Sequence, residues 1–252
     1  MTLQACAEIV QRGDRDRFLA TMAAGPDLRT RLFPLFAFNV EISRAPWVTQ
    51  EPMIAEMRLQ WWRDALAEIG QGASVRTHEV VQPLATVIDA QGADILDKSA
   101  QARRWDIYRD PFEDAAHFQE YLDQTAGGLM WSAARALGAE GCEKQARSIG
   151  YAQGLANWFV AIPDLESRGR RPLVDGRTDA VQALARQGLS RYSQALANSP
   201  AAAVPAFRTA WLTPYLLRQV VNDPGCVQAG RLAVSEFRRR GSLLWRTLMR
   251  RA

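Results

Sequence analysis

FAFNVEISRAPW, residues 36–47, is an amphipathic stretch that runs into a break at Ala45-Pro46. Apolar residues recur at three- and four-residue steps in segment after segment of this chain. MIAEMRLQWWRDALAEIG (53–70), EKQARSIGYAQGLANWFVAI (143–162) and DAVQALARQGLSRYSQALA (179–197) all show the pattern. That period is the period of the α-helix. Alternation at period two is almost absent: VVQPLATVI (80–88) comes nearest, and Pro83 interrupts it by removing a ladder donor. The fold class these patterns predict is all-α.

Breakers cut the helices at plausible lengths: Gly25-Pro26, Ala45-Pro46, Glu51-Pro52, Gly70 to Gly72, Asp110-Pro111, Gly138, Pro172, Ser199-Pro200, Thr213-Pro214 and Asp223-Pro224-Gly225. Asp14 and Asp27 are candidate N-caps, because a carboxylate at that position accepts from an orphan amide of the first turn. No repeat of fixed period is present, so a compact bundle of roughly eight or more helices follows. With 252 residues and no linker-like stretch, a single domain over 1–252 is expected. The apolar share of 48% and the charged share of 23% suit a chain that buries a core.

Composition also excludes several classes. No window approaches the roughly 18 apolar residues of a membrane span, and MTLQACAEIVQRGDRDR lacks the basic-then-apolar build of a signal peptide. A cytoplasmic protein, or one resting on a membrane surface, is therefore expected. Cys6, Cys142 and Cys226 lie far apart without C-x-x-C spacing, which argues against a disulfide framework or a zinc site and for reduced, buried thiols. A net charge of +4 is too mild for a nucleic-acid partner. His78 and His117, the only histidines, have neither H-E-x-x-H spacing nor a serine elbow nearby.

Two ordered blocks carry a resemblance. DRDRFLATMAAGPDLRTRLFPLFAFNVEIS (14–43), followed by EPMIAEMRLQWWRDAL (51–66), resembles the opening of the squalene/phytoene synthase family, where a similar helix leads into an aspartate cluster and a tryptophan-rich helix comes next. YLDQTAGGLMWSAARALG (121–138) and GYAQGLANWFVAIPDLESRGRRPL (150–173) are similar to the family's later glycine-bearing helix and second aspartate helix. Order and spacing agree over residues 14–173. The resemblance implies an isoprenoid-synthase bundle around a central cavity.

It also implies a chemistry that needs acids. Head-to-head joining of two prenyl diphosphates starts with loss of pyrophosphate, whose growing charge is met by Mg²⁺ held on clustered carboxylates. Laid onto this chain, the first cluster's aspartates fall on Ser43, Arg44 and Trp47. Those of the second fall on Ala161 and Leu165, with Asp164 at the usual glutamate, Gly154 at the glutamine one turn earlier, and Asn157 retained. Both clusters are thus stripped. Glu41 is offset by Arg44 three residues on, and Asp164, near Arg168, is the one remaining carboxylate for a weak single-ion site.

What survives the loss of metal chemistry is binding. Arg168, Arg170 and Arg171 would clamp a phosphate, or else form a solvated turn at a helix C-terminus. Phe38, Trp61, Trp62, Tyr121, Gly128 and Asn157 are the candidate cavity lining. Trp61 and Trp62 also read as core, and Gly127-Gly128 also as a close helix contact. Residues 231–252 hold seven arginines against one glutamate, with Leu243, Leu244, Trp245 and Leu248 among them. Such a segment either lies on an anionic membrane or packs its leucines on the bundle, and the second is the first expectation.

The wording AFN-x-E (37–41) and E-M-R-L-Q-W-W (56–62) is similar to a non-synthase branch of the family, that of the mitochondrial complex I assembly factor and its bacterial relatives. The resemblance implies a non-catalytic assembly or binding factor near the inner membrane, with a respiratory complex subunit or assembly intermediate as partner and no cofactor. Two alternatives stand beside it. One is an active prenyl-diphosphate transferase, which alone would need Mg²⁺. The other is an isoprenoid- or lipid-binding module holding a prenyl lipid or diphosphate.

Overall fold

The computed structural model describes residues 3–249 and 251–252. In chain order its α-helices are α1 (Leu3–Gly13), α2 (Arg15–Met22), α3 (Pro26–Arg44), α4 (Pro52–Gly70), α5 (Val81–Ala85), α6 (Ala90–Ala102) and α7 (Ala115–Leu122). They continue as α8 (Gly128–Ala136), α9 (Glu143–Ser167), α10 (Thr178–Ala197), α11 (Val204–Phe207), α12 (Thr213–Asn222), α13 (Gly225–Gln228) and α14 (Glu236–Leu248). Among the described residues there is no strand: the VVQPLATVI segment forms the short helix α5.

The starts of the helices follow the side chains that satisfy free amides. Asp14 caps α2 by accepting from the Arg17 amide at 2.9 Å, and Asp89 and Asp114 cap α6 and α7 in the same way. Asp27 does not cap α3. Gly25 takes that place with Pro26 at the first helical position, leaving Asp27 in the first turn, where its charge favours the helix dipole.

At the centre lies α3, where every residue from Leu32 to Val40 is buried. The segment that reads as one-sided is therefore enclosed on all sides from Phe36 to Val40, with Asn39 as its one buried polar side chain. Around it, α1 lies along α3, α4 pairs with α6, and α9 runs between α8 and α10. Between α7 and α8 the chain makes one turn of wider π-helix, Asp123–Gly127. The extra width brings Ala126 against α9, and α9 meets it with glycines. A Cβ at Gly154 would stand 2.7 Å from that of Ala126, and one at Gly150 would strike the Ala126 carbonyl.

Cys6, Cys142 and Cys226 are free and buried, and burial pushes the Cys6 thiol up to about 11. Among the described residues no helix is long and apolar enough to cross a membrane. Of Leu243, Leu244 and Leu248 on α14, only Leu243 is buried, which corrects the expectation that the leucines pack on the bundle, and Trp245 is exposed beside them.

Candidate functional site: a cavity between α3 and α9

A cavity of about 520 Å³ opens between α3 and α9. Ser43 and Arg44 at the end of α3, and Trp47 in the tight turn Ala45–Trp47 that follows, form one wall. Gly154, Ala161 and Leu165 on α9 face them. The six positions at which the family pattern would place metal-cluster side chains thus border one space. Asn157, Asp164 and Arg168 share the α9 wall, and Tyr121 closes the inner side.

At the open end the two walls touch. The Arg168 guanidinium lies 5.1 Å from the Trp47 ring centroid, and that of Arg170 lies 5.0 Å from it. Arg170 also stands 5.3 Å from the Trp105 ring. A cation over an aromatic face is held by the ring quadrupole, so an indole and two arginines bridge the walls.

The arginines do not act as a trio. Arg170 turns inward and donates to the carbonyls of Trp105, Asp106 and Tyr108, the orphan acceptors at the end of the turn Arg103–Asp106. Burial pulls its guanidinium below the ordinary arginine value. Its donors are spent on backbone, which corrects its reading as part of an anion clamp. Arg171 is exposed and stands away from the cavity lining. Arg168 remains at the mouth, bonded to Asp164 at 2.9 Å.

The inner end holds a charged network that sequence reading missed. Tyr121 donates its hydroxyl to Asp106 at 2.9 Å, and Arg103 donates to both, at 2.9 Å to the tyrosine and 3.2 Å to the aspartate. Burial drives the Tyr121 hydroxyl well above its usual value, so it stays protonated and keeps donating. Beside it, buried Arg17 bonds Asp14 and reaches Gln153 at 3.3 Å, and Gln153 donates to the Thr209 carbonyl at 2.7 Å. Asp14-x-x-Arg17 and Arg103-x-x-Asp106 are opposite charges at a helical i,i+3 step, the one signal in the sequence that could have flagged them.

Among the other candidate lining residues, Phe38 is fully buried and packs its ring against the edge of Trp62, 5.4 Å between centroids. Trp61 and Trp62 border a separate recess of about 330 Å³ with Glu41, Arg58 and His78. Gly128 lies outside the cavity lining, its α-carbon facing α6 so that a Cβ would meet Ile95 at 3.4 Å. Trp158, not foreseen, lines the cavity and donates its indole N–H to the Pro172 carbonyl at 2.9 Å.

The donor set does not suit a magnesium cluster. The cavity's acids are Asp14, Asp106 and Asp164, and each is already bonded to an arginine, so a metal ion would have to displace a guanidinium to reach any of them. Glu41 faces the smaller recess and pairs with Arg44 at 3.6 Å. Among the described residues no group of three or more His, Cys, Asp or Glu is placed to hold a metal.

A helical bundle hollowed between two such walls is the isoprenoid-synthase architecture, and solved structures share it. A dehydrosqualene synthase with bound ligand superposes with a TM-score of 0.77 at 13% identity, covering 96% of this chain and 94% of that one. A squalene synthase from Alicyclobacillus acidocaldarius gives 0.72 at 12%, covering 87% and 93%. These likenesses concern the fold. The model of the squalene/phytoene synthase family matches residues 10–238, and the chain belongs to that family.

Within it, the chain is 31% identical over 177 residues to the Drosophila melanogaster homolog of NADH dehydrogenase (ubiquinone) complex I, assembly factor 6, covering 67% of this chain and 53% of that protein. It is 22% identical over 178 residues to assembly factor 6 of Homo sapiens, covering 65% and 50%. The chain spans about half the length of these curated relatives.

Proposed function

We propose that this chain is a non-catalytic member of its family, acting near the inner membrane as an assembly or binding factor for respiratory complex I, without a metal cofactor. The observation that carries the reading is the stripped cavity: the six degenerate motif positions that border it bear no carboxylate, and Asp164, the one acid kept at a motif position, is paired with Arg168. Pyrophosphate cannot leave from such a site by the family's route, because nothing there gathers divalent metal against the developing charge. The relatives named as complex I assembly factors support the second half of the reading.

The test has two arms. Purified protein given farnesyl or geranylgeranyl diphosphate with Mg²⁺ should release no more pyrophosphate than with chelator, beside an active family member that does. Metal-dependent turnover would restore the transferase. Deleting the gene in its host should reduce assembled complex I on native gels, and an unchanged level would remove the assembly role.

A second reading keeps the cavity in use. At about 520 Å³ it falls within the range of small-molecule pockets, with Trp158 and Leu122 as apolar wall and Arg168 at the mouth. An isoprenoid or lipid with an anionic head suits it without metal. Saturable binding that is insensitive to chelator, and weakened by Arg168→Ala, is the expected result. Binding unchanged by that substitution would count against Arg168 as the contact.

A further inference from the structure

Helix α14 is held to the bundle by its polar side and turns its apolar side outward. The inward contacts are specific. Arg239 pairs with Asp16 of α2 at 2.7 Å, Arg15 forks onto Glu236 at 2.9 and 3.1 Å, and the Trp211 indole donates to the Arg239 carbonyl. Leu243 is buried on this same side. The helix is thus fixed in rotation, and what it shows to solvent is set by that docking.

The outward row is Phe237, Gly241, Leu244 and Leu248, at steps of four, three and four, with Trp245 beside it. Phe237 is 91% exposed, Leu248 69%, Leu244 62% and Trp245 59%. Four large apolar side chains together on one helical face are far from the scattered single exposures that a protein surface ordinarily carries. Arg238 and Arg240 flank the row on either side, both exposed. The helix's one carboxylate, Glu236, is shared by Arg15, Arg239 and, at 3.6 Å, Arg240, so three cations meet one anion and the face keeps a net positive charge.

We infer that this face is a docking surface for an anionic lipid bilayer, with α14 lying in the plane of the headgroups, its phenylalanine and leucines in the acyl boundary and its arginines against lipid phosphates. The pattern meets the physical requirements of an in-plane helix: a narrow apolar face, a tryptophan at its edge and cations alongside. Charge weighs against a second copy as the occupant, since two such faces brought together would set one cationic rim against another. The inference rests on the membrane-proximal part of the proposed function and not on complex I.

The experiment is vesicle flotation with the full chain, using neutral phosphatidylcholine vesicles and vesicles also containing phosphatidylglycerol, at low and high salt. Binding to the anionic vesicles should be tighter by about tenfold or more and should weaken with salt. The triple variant Phe237→Ser, Leu244→Ser, Leu248→Ser changes only exposed side chains, so it should melt with the wild type and lose the binding. Arg240→Glu should weaken it in the anionic vesicles alone.

No preference for anionic vesicles, or a folded triple variant that binds as the wild type does, overturns the surface. So does a wild-type dimer that the triple variant dissolves, which would assign the face to a second copy. A triple variant that has lost vesicle binding but still supports complex I in the host separates the two proposals, because the docking surface then stands without the assembly role needing it. Intact vesicle binding with complex I unaffected by gene deletion removes the assembly role alone.

Discussion

The two ends of the cavity treat charge in opposite ways. At the inner end Asp106, Tyr121 and Arg17 are buried, and each is tied to partners on other parts of the chain. At the mouth Arg44, Asp164 and Arg168 stand in solvent, with Arg44 on Glu41 and Arg168 between Asp164 and the Trp47 ring. A charge taken out of water must keep its partner or destabilise the fold, whereas an exposed charge is cheap to hold and cheap to lose. The mouth is where the family's metal acids would lie. A chain can therefore shed that chemistry there while the inner end goes on holding the bundle together.

The sharpest way to break this contrast is at Asp106. Asp106→Ala leaves Arg103 facing a buried tyrosine without its carboxylate, and should cost about 3 kcal/mol in urea unfolding. A loss below about 1 kcal/mol would mean that the inner network is as dispensable as the mouth. Next comes Gly154, where the family carries glutamine. Gly154→Gln drives a side chain into Ala126, whose Cβ is already at the limit of approach, and should cost about 1–3 kcal/mol by overpacking. A variant of unchanged stability would show that α9 can withdraw from the π-turn and that the wall is not committed to glycine.

Trp47 tests the bridge between the walls. Trp47→Ala removes the ring under both Arg168 and Arg170, and should cost about 1 kcal/mol. Arg170 keeps its three carbonyl acceptors, so the loss should fall mainly on the mouth. Thermal melting gives the size of the loss. The exchange of the Arg168 guanidinium protons should quicken more than that of Arg170, and an equal change in both would unmake the distinction between them.

How much of this was legible in the sequence follows the same division. The helices, the buried cysteines and the pairing of 43–47 with 154–165 across one space come from apolar period and ordered motifs, which a linear reading carries well. The missed parts depend on where a side chain turns. Arg170 sits between two exposed-reading arginines, and only the turn Arg103–Asp106, more than sixty residues earlier, supplies the carbonyls that draw it inward. Trp61 and Trp62 belong to the expected lining, yet the rotation of α4 sends them to the smaller recess. The fate of Leu244 and Leu248 turned on which side of α14 was docked, and that was decided by Asp16 and Arg15 at the other end of the chain.

The smallest expected effect belongs to Asp164, and it is also the one that bears most directly on metal. The Asp164–Arg168 pair is solvated on both sides, with side-chain exposures of 65% and 52%. Water screens it, salt screens it further, and Asp164→Ala should cost less than about 1 kcal/mol, shrinking as ionic strength rises. The same variant reads out magnesium without any turnover. An ion that binds only the folded chain raises its melting temperature in proportion to the logarithm of its concentration above Kd. If Asp164 is committed to Arg168, millimolar Mg²⁺ should shift the melting temperature of neither wild type nor variant. A shift in the wild type that vanishes in the variant would mean that Arg168 yields the carboxylate to metal, and the mouth would then have kept one working half of the site its family uses.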